Sequence, residues 1–72
     1  MEKKPVKNFG LITEAEFVGR PLNEAITKAE NDGLTTRIVE LDGHPYMLQM
    51  DYKTNRINFR VNNGLVVAAY GG

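Results

Sequence analysis

Met50, Asp51 and Arg56 form the most informative pattern of residue types in this chain. A bulky apolar residue directly precedes an acid, and an arginine six residues after the apolar one opens an alternating run that ends at Val61. Arginine offers the strong, charge-assisted hydrogen bonds that can hold a loop in a chain without disulfides. The pattern therefore points to a peptide segment held from behind by a side chain of the following strand.

The composition leaves little room for catalysis. The chain has no serine, no cysteine and one histidine, His44, so a Ser–His or Cys–His nucleophile pair is excluded. One histidine among scattered carboxylates has no recognisable metal-ligand spacing. A domain of 72 residues also struggles to enclose a cleft that excludes water. We therefore expect no enzyme, no metal and no cofactor.

Charge and hydropathy limit the partners and the location. Nine basic and nine acidic residues give a net charge of zero, which argues against nucleic-acid or membrane-surface binding by bulk charge. No apolar run approaches the ~20 residues of a membrane span, and residues 1–5 contain no apolar signal-peptide core. The sequence as written predicts a cytoplasmic protein, or a secreted or periplasmic one if a leader has been removed.

We predict a flexible N-terminal tail over residues 1–13, followed by a single domain over residues 14–72. Pro21 suits a first helical turn, because the donor that proline lacks would be unpaired there. The next apolar residues recur at helical spacing, and Gly33 is a typical left-handed cap. One face of this helix should carry Leu22, Ala25, Ile26 and Ala29.

Three strands are predicted after the helix. Residues 35–41 are rich in β-branched types, and residues 56–61 alternate between apolar and polar. Asn63-Gly64 favours a tight hairpin turn into a last strand over residues 65–70. The elements together predict an α+β fold, in which a single α-helix packs on a small mixed β-sheet.

Residues 42–55 have two competing structures. Asp42-Gly43 can make a two-residue turn that folds the chain straight back as a hairpin, pairing Leu41 with His44. Alternatively, the segment bulges out and re-enters the sheet at Arg56, which makes the two flanking strands parallel. A hybrid with a hairpin base and an exposed tip at residues 47–51 is also compatible with the sequence.

Two blocks of the chain resemble the potato inhibitor I superfamily, and most closely its bacterial peptidase-inhibitor relatives. In residues 16–25, a Val-Gly pair precedes the helix and a Glu-Ala pair lies in its first turns. In residues 50–61, an apolar residue, Asp-Tyr, a basic residue, two variable residues, Arg, an apolar residue and Asn follow in that order. The resemblance covers residues 16–72.

The resemblance implies a substrate-like, reversible inhibitor of serine proteases. Met50 would fill the primary pocket of the protease, and Met50–Asp51 would be the scissile bond. Methionine there favours subtilisin-, chymotrypsin- or elastase-like enzymes over trypsin-like ones. The implied reactive-site loop consists of Gln49, Met50, Asp51, Tyr52 and Lys53, and the residues that would brace it from behind are Arg56 and Asn58.

The chain departs from the family pattern at three of these positions. Gln49 stands where the family usually has threonine, and Lys53 replaces a common arginine. Asn58 corresponds to the second bracing arginine of the plant members, although the bacterial branch tends to carry asparagine there. The segment from Gly43 to Tyr52 is about two residues longer than is typical of the family.

A second class of function stays open from the sequence alone. The chain could be a small, non-inhibitory binding module that engages another protein through the loop or through an exposed sheet edge. Met47, Leu48 and Met50 would then be buried residues of a closed hairpin. Arg56 and Arg60 could equally be a solvated strand face, or part of a modest patch for anions or nucleic acid. Nothing in the sequence predicts the oligomeric state.

Overall fold

The computed structural model describes residues 16–48 and 51–72. These residues form one α-helix and a four-stranded mixed sheet in the order β2-β1-β3-β4. The elements are α1 (Leu22–Asn31), β1 (Thr35–Leu41), β2 (His44–Pro45), β3 (Arg56–Asn62) and β4 (Leu65–Gly71). The predicted α+β class and the three longer strands are confirmed. The predicted tail over residues 1–13 lies outside the described residues.

The helix begins and ends where local chemistry requires. Pro21 precedes it with extended backbone, and the Leu22 amide donates to the Gly64 carbonyl at 2.9 Å. At the other end Gly33 adopts a φ of 82°. The Gly33 amide donates to Glu30 O, and the next amide, that of Leu34, donates to Ala29 O. This pair of bonds is the Schellman arrangement, and it turns the buried Leu34 side chain back onto the core.

The core lies between the helix and one face of the sheet. Phe17, just before the helix, is fully buried, and its ring centroid lies 5.5 Å from that of Phe59. The predicted helix face is confirmed, since Ala25 and Ala29 are buried and Leu22 and Ile26 are partly buried against the cluster. The other buried members of the cluster are Leu34, Ile57, Val61, Val66 and Ala69.

Strands β1 and β3 are parallel, and this pairing decides the path of residues 42–55. Asp42 and Gly43 have positive φ values, and β2 pairs back on β1 over only two residues, Glu40 with Pro45 and Leu41 with His44. The Tyr46 amide still donates to Val39 O, after which the ladder stops. The segment is therefore the hybrid of the two predicted structures.

The rest of this segment has more length than its path requires. It must return from Pro45, opposite Glu40, to Asn55, whose carbonyl accepts from the Thr35 amide at 2.8 Å. Five residues of β1 separate those points, about 17 Å at strand rise, whereas ten residues of extended chain reach about 33 Å. The segment therefore cannot run along a straight path beside β1.

Phe17 provides a test of how firmly the segment before the helix belongs to the core. We expect Phe17→Ala to lower the free energy of unfolding by about 3–5 kcal/mol, because it leaves a cavity beside Phe59. Val18→Ala, one residue on and 40% exposed, should cost less than about 1 kcal/mol. Urea unfolding of both variants measures the difference, and equal losses would show that Phe17 is not a core residue.

Candidate functional site

The polar face of the sheet, opposite the helix, carries the residues that contact the connection between β1 and β3, residues 42–55, called the long segment below. Parallel pairing puts Arg37 of β1 beside Asn58 of β3, and antiparallel pairing puts Tyr70 of β4 on the other side of Asn58. Arg56 begins β3 on the same face, at the end of the sheet where β4 finishes. Both Arg56 and Asn58 are buried, at 7% and 0% exposure. Polar groups buried to this extent need partners.

Asp51 supplies most of the partners of Arg56. The Arg56 guanidinium donates from Nη1 to Asp51 Oδ2 at 3.3 Å, and from Nη2 to the Asp51 main-chain oxygen at 3.2 Å and to Oδ1 at 3.4 Å. Nη2 also donates to the Gly72 oxygen at 2.8 Å. Arg56 Nε has no hydrogen-bond partner among the residues that the structure describes. One buried cation thus joins the long segment to the end of β4.

Arg37 contacts the same carboxylate from the neighbouring strand. Its Nη1 lies 3.2 Å from Asp51 Oδ1, and its Nε donates to Asn58 Oδ1 at 2.8 Å. Asn58 is in turn fixed by donation from Nδ2 to the Tyr70 carbonyl at 3.3 Å. The sequence analysis missed Arg37, because its partners lie 14 and 21 residues away and no local pattern relates them.

Gly72 and Tyr52 close the base of the segment. The Gly72 amide donates to Arg56 O at 3.1 Å, and the Lys53 amide donates to Gly72 O at 3.2 Å. Gly72 has a φ of 121°, and a β-carbon there would lie 3.5 Å from the Tyr52 ring. The backbone on the C-terminal side of Asp51 is therefore tied to strand ends by main-chain as well as side-chain bonds.

The outer part of the segment presents apolar side chains to solvent. Met47 is fully exposed at 103%, and Tyr46, Leu48 and Tyr52 are also exposed. The alternative in which Met47 and Leu48 are buried in a closed hairpin is therefore wrong. Gln49 and Met50, which the sequence analysis placed before and at the candidate bond, lie outside the described residues.

The other site residues predicted from the sequence lie within the described part of the chain. Asp51, Tyr52 and Lys53 are exposed, and Arg56 and Asn58 lie beneath the segment. The alternative of a solvated strand face is wrong for Arg56, which is buried. It holds for Arg60, whose exposed side chain pairs with Glu40 Oε2 at 3.1 Å.

A concave site lies elsewhere on the described surface. A shallow depression of about 550 Å³ runs along the solvent side of the helix, where Lys28 pairs with Asp32 at 3.1 Å and with Glu16 at 3.4 Å. Its lining mixes both charges and includes none of the residues of the long segment. The convex, apolar segment is suited to contact with a protein rather than with a small molecule, which needs a cleft.

Two further observations concern membranes and metals. Within residues 16–48 and 51–72, no helix has the length and apolar character needed to cross a bilayer. Over the same described ranges, no cluster of three or more histidine or carboxylate side chains could hold a metal ion.

Comparison of the chain with protein-family models, curated proteins and solved structures finds no match.

The Asp51 carboxylate is held in its charged form. The hydrogen bond from the Arg56 side chain lowers the pKa of Asp51 below its ordinary value of 3.8, partial desolvation opposes that effect, and the charges of Arg56 and Arg37 add to it. A carboxyl whose pKa is lower in the folded state stabilises the fold above its unfolded pKa. That contribution is lost as the pH falls through the lowered folded value.

Acid titration should therefore weaken this contact. We expect Asp51→Asn to reduce the free energy of unfolding at about pH 7, and this difference to shrink as the pH falls through the lowered folded pKa, because the wild-type carboxyl then becomes protonated as well. Urea unfolding of the two proteins over a series of pH values from neutral to acid tests this. A difference that stays constant from neutral to acid pH would mean that the charge on Asp51 does not contribute.

Proposed function

We propose that this protein is a substrate-like, reversible inhibitor of serine proteases, with a fold of the potato inhibitor I type and Met50–Asp51 as the bond offered to the protease. The observation that carries the proposal is the attachment of Asp51, on an exposed segment, to the buried guanidinium of Arg56. The residue on the leaving-group side of the candidate bond is thereby fixed to the sheet.

Fixing that residue has two consequences for a protease that binds the loop. A segment that already has its bound shape loses little conformational entropy on docking, so more of the contact energy remains as affinity. When the protease serine oxygen bonds to the Met50 carbonyl carbon, the C–N bond breaks and the Asp51 nitrogen takes up a proton through the protease histidine. If Asp51 cannot diffuse away, this amine attacks the ester and restores the peptide bond.

The path of the chain also supports the proposal. Parallel strands β1 and β3 need a long connection, and its surplus length bows outward with Met47 fully exposed. The short β2 hairpin uses residues 42–45, which accommodates the greater length relative to the family pattern. A protease cleft binds extended, exposed backbone, and the apolar side chains of Tyr46 and Leu48 add contact area beside the bond.

The first test is a titration of the protein against subtilisin, chymotrypsin, elastase and trypsin. We expect tight inhibition of at least one of the first three enzymes. Met50→Lys should weaken that inhibition roughly a hundredfold or more, because an apolar primary pocket cannot solvate a charge, and should create inhibition of trypsin.

Val67→Lys is the matched control for Met50→Lys, since it adds the same charge at an exposed position of β4. It should leave inhibition within about twofold of the wild type. Failure of the wild-type protein to inhibit any of the four enzymes would contradict the proposal. Cleavage after a residue other than Met50 would contradict the assignment of the bond.

The second test concerns the guanidinium beneath the loop. Arg56→Ala should turn inhibition towards hydrolysis, raising the rate of Met50–Asp51 cleavage roughly tenfold or more, because charge-assisted hydrogen bonds to Asp51 are lost. Arg60→Ala removes an equal charge from the same strand face, where the side chain is exposed, and should not change the rate.

Mass spectrometry of the protein incubated with protease gives the hydrolysis rates, and urea unfolding shows whether Arg56→Ala is folded. Arg56→Lys keeps the charge but offers one nitrogen where the guanidinium offers two to Asp51, so it should be cleaved at an intermediate rate if the alanine variant unfolds. Equal cleavage of wild type and both Arg56 variants would show that Arg56 does not hold the loop.

A further inference from the structure

Arg37 has a position that the proposed inhibitor does not by itself require. It lies in β1, before the long segment, whereas Arg56 and Asn58 lie in β3, after it. Its guanidinium nevertheless bridges the two groups on which the segment depends, with Nε on Asn58 Oδ1 at 2.8 Å and Nη1 on Asp51 Oδ1 at 3.2 Å. Each strand flanking the segment thus contributes one arginine to the same carboxylate.

We infer that Arg37 is a second positioning residue of the loop, which holds Asp51 from β1 while Arg56 holds it from β3. The inference rests on the proposed function, since its consequence is measured as the fate of the Met50–Asp51 bond. It adds to that function a residue on the N-terminal side of the loop, and it gives the two arginines different contacts with Asp51.

The lengths of the hydrogen bonds from Arg56 to Asp51 explain what a second arginine adds to the positioning of Asp51. The three contacts from Arg56 to Asp51 measure 3.2–3.4 Å, and Nη2 is shared between Asp51 and the closer Gly72 oxygen at 2.8 Å. Long, shared hydrogen bonds are weaker than short, dedicated ones. The Asp51 side chain is also 41% exposed, so water competes for its oxygens. A second donor to the same carboxylate therefore restricts its rotation further than Arg56 does by itself.

Arg37 restricts that rotation because its own orientation is fixed. The bond from Nε to Asn58 is as short as the Arg56–Gly72 bond, at 2.8 Å, and Asn58 is fully buried and bonded to the Tyr70 carbonyl. The Arg37 guanidinium is therefore oriented towards Asp51 by a buried, hydrogen-bonded residue. Among the described residues, the side-chain bonds of Asn58 run to Arg37 and Tyr70, so Asn58 acts on Asp51 through Arg37.

After cleavage, Asp51 carries the new amino group, and the two arginines determine how long it stays beside the ester. Arg56 holds both the main-chain oxygen and the carboxylate of Asp51, whereas Arg37 holds the carboxylate alone. Removing Arg37 should therefore leave Asp51 tethered but free to turn, so that its amine spends less time in line with the ester. Religation slows, and water completes hydrolysis more often.

The test compares Arg37→Gln with Arg60→Gln, which removes an equal charge from an exposed position on the same sheet face. Against a protease that the wild type inhibits, Arg37→Gln should raise the Met50–Asp51 hydrolysis rate roughly five- to tenfold, and Arg60→Gln should not. The increase should largely disappear in an Asp51→Asn background, because Arg37 acts through that carboxylate. Arg37→Lys should restore part of the wild-type behaviour.

A second readout separates positioning from general loss of structure. Titration of the Asp51 carboxyl by NMR should give a higher pKa in Arg37→Gln than in the wild type and in Arg60→Gln. The unfolding midpoint of Arg37→Gln should fall only by the small amount that loss of one exposed ion pair implies. If the wild type inhibits and Arg56→Ala is hydrolysed while Arg37→Gln behaves as wild type, the inference about Arg37 is overturned and the proposed function stands. If the wild type inhibits no serine protease, both are overturned.

Discussion

The structure depends on the burial of one cation. The Arg56 guanidinium is 7% exposed in a domain with little interior, and an unpaired charge in that position would destabilise the fold severely. Its acceptors come from the returning limb of the long segment and from the end of β4. The hydrogen bonds that the cation needs therefore hold Asp51 of the long segment next to Gly72 at the end of β4, although the two are far apart in sequence. The position of Asp51 in the exposed segment follows from that requirement.

The two faces of the sheet carry out different tasks as a result. The face beneath the helix is apolar and close-packed around Phe17 and Phe59. The opposite face is a hydrogen-bonded layer in which Asn58 is fully buried and Arg56 nearly so, although their partners are polar. A small domain without disulfides gains a second ordered layer in this way. Each additional bond in that layer also restricts the segment that covers it.

Local patterns in the sequence predict much of this fold. Period-3.6 spacing gives the helix, alternation gives β3, and the positive-φ preference of Asn-Gly and Asp-Gly gives both turns. The two register shifts are not predictable in this way. The extra residues are Val39 in β1 and Val67 in β4, and the first of them aligns Glu40 with Arg60.

The candidate site likewise contains residues that the local sequence pattern can predict and one that it cannot. Arg56 and Asn58 can be singled out in the sequence because they alternate with core residues next to the segment. Arg37 sits in a strand whose local sequence signals only β structure, and its significance appears once parallel register places it opposite Asn58. Side chains whose partners depend on a crossover connection cannot be recognised before the register is known.

The separation between the fixed base of the segment and its outer residues has a consequence for how this chain can vary. Tyr46, Met47 and Leu48 belong neither to the buried apolar cluster nor to the hydrogen-bonded layer through their side chains. Their replacement leaves that cluster and that layer intact. The domain is thus a scaffold whose surface can be diversified, by natural selection or in a designed library, with little effect on its stability. New binding preferences could therefore be selected without compensating mutations in the core.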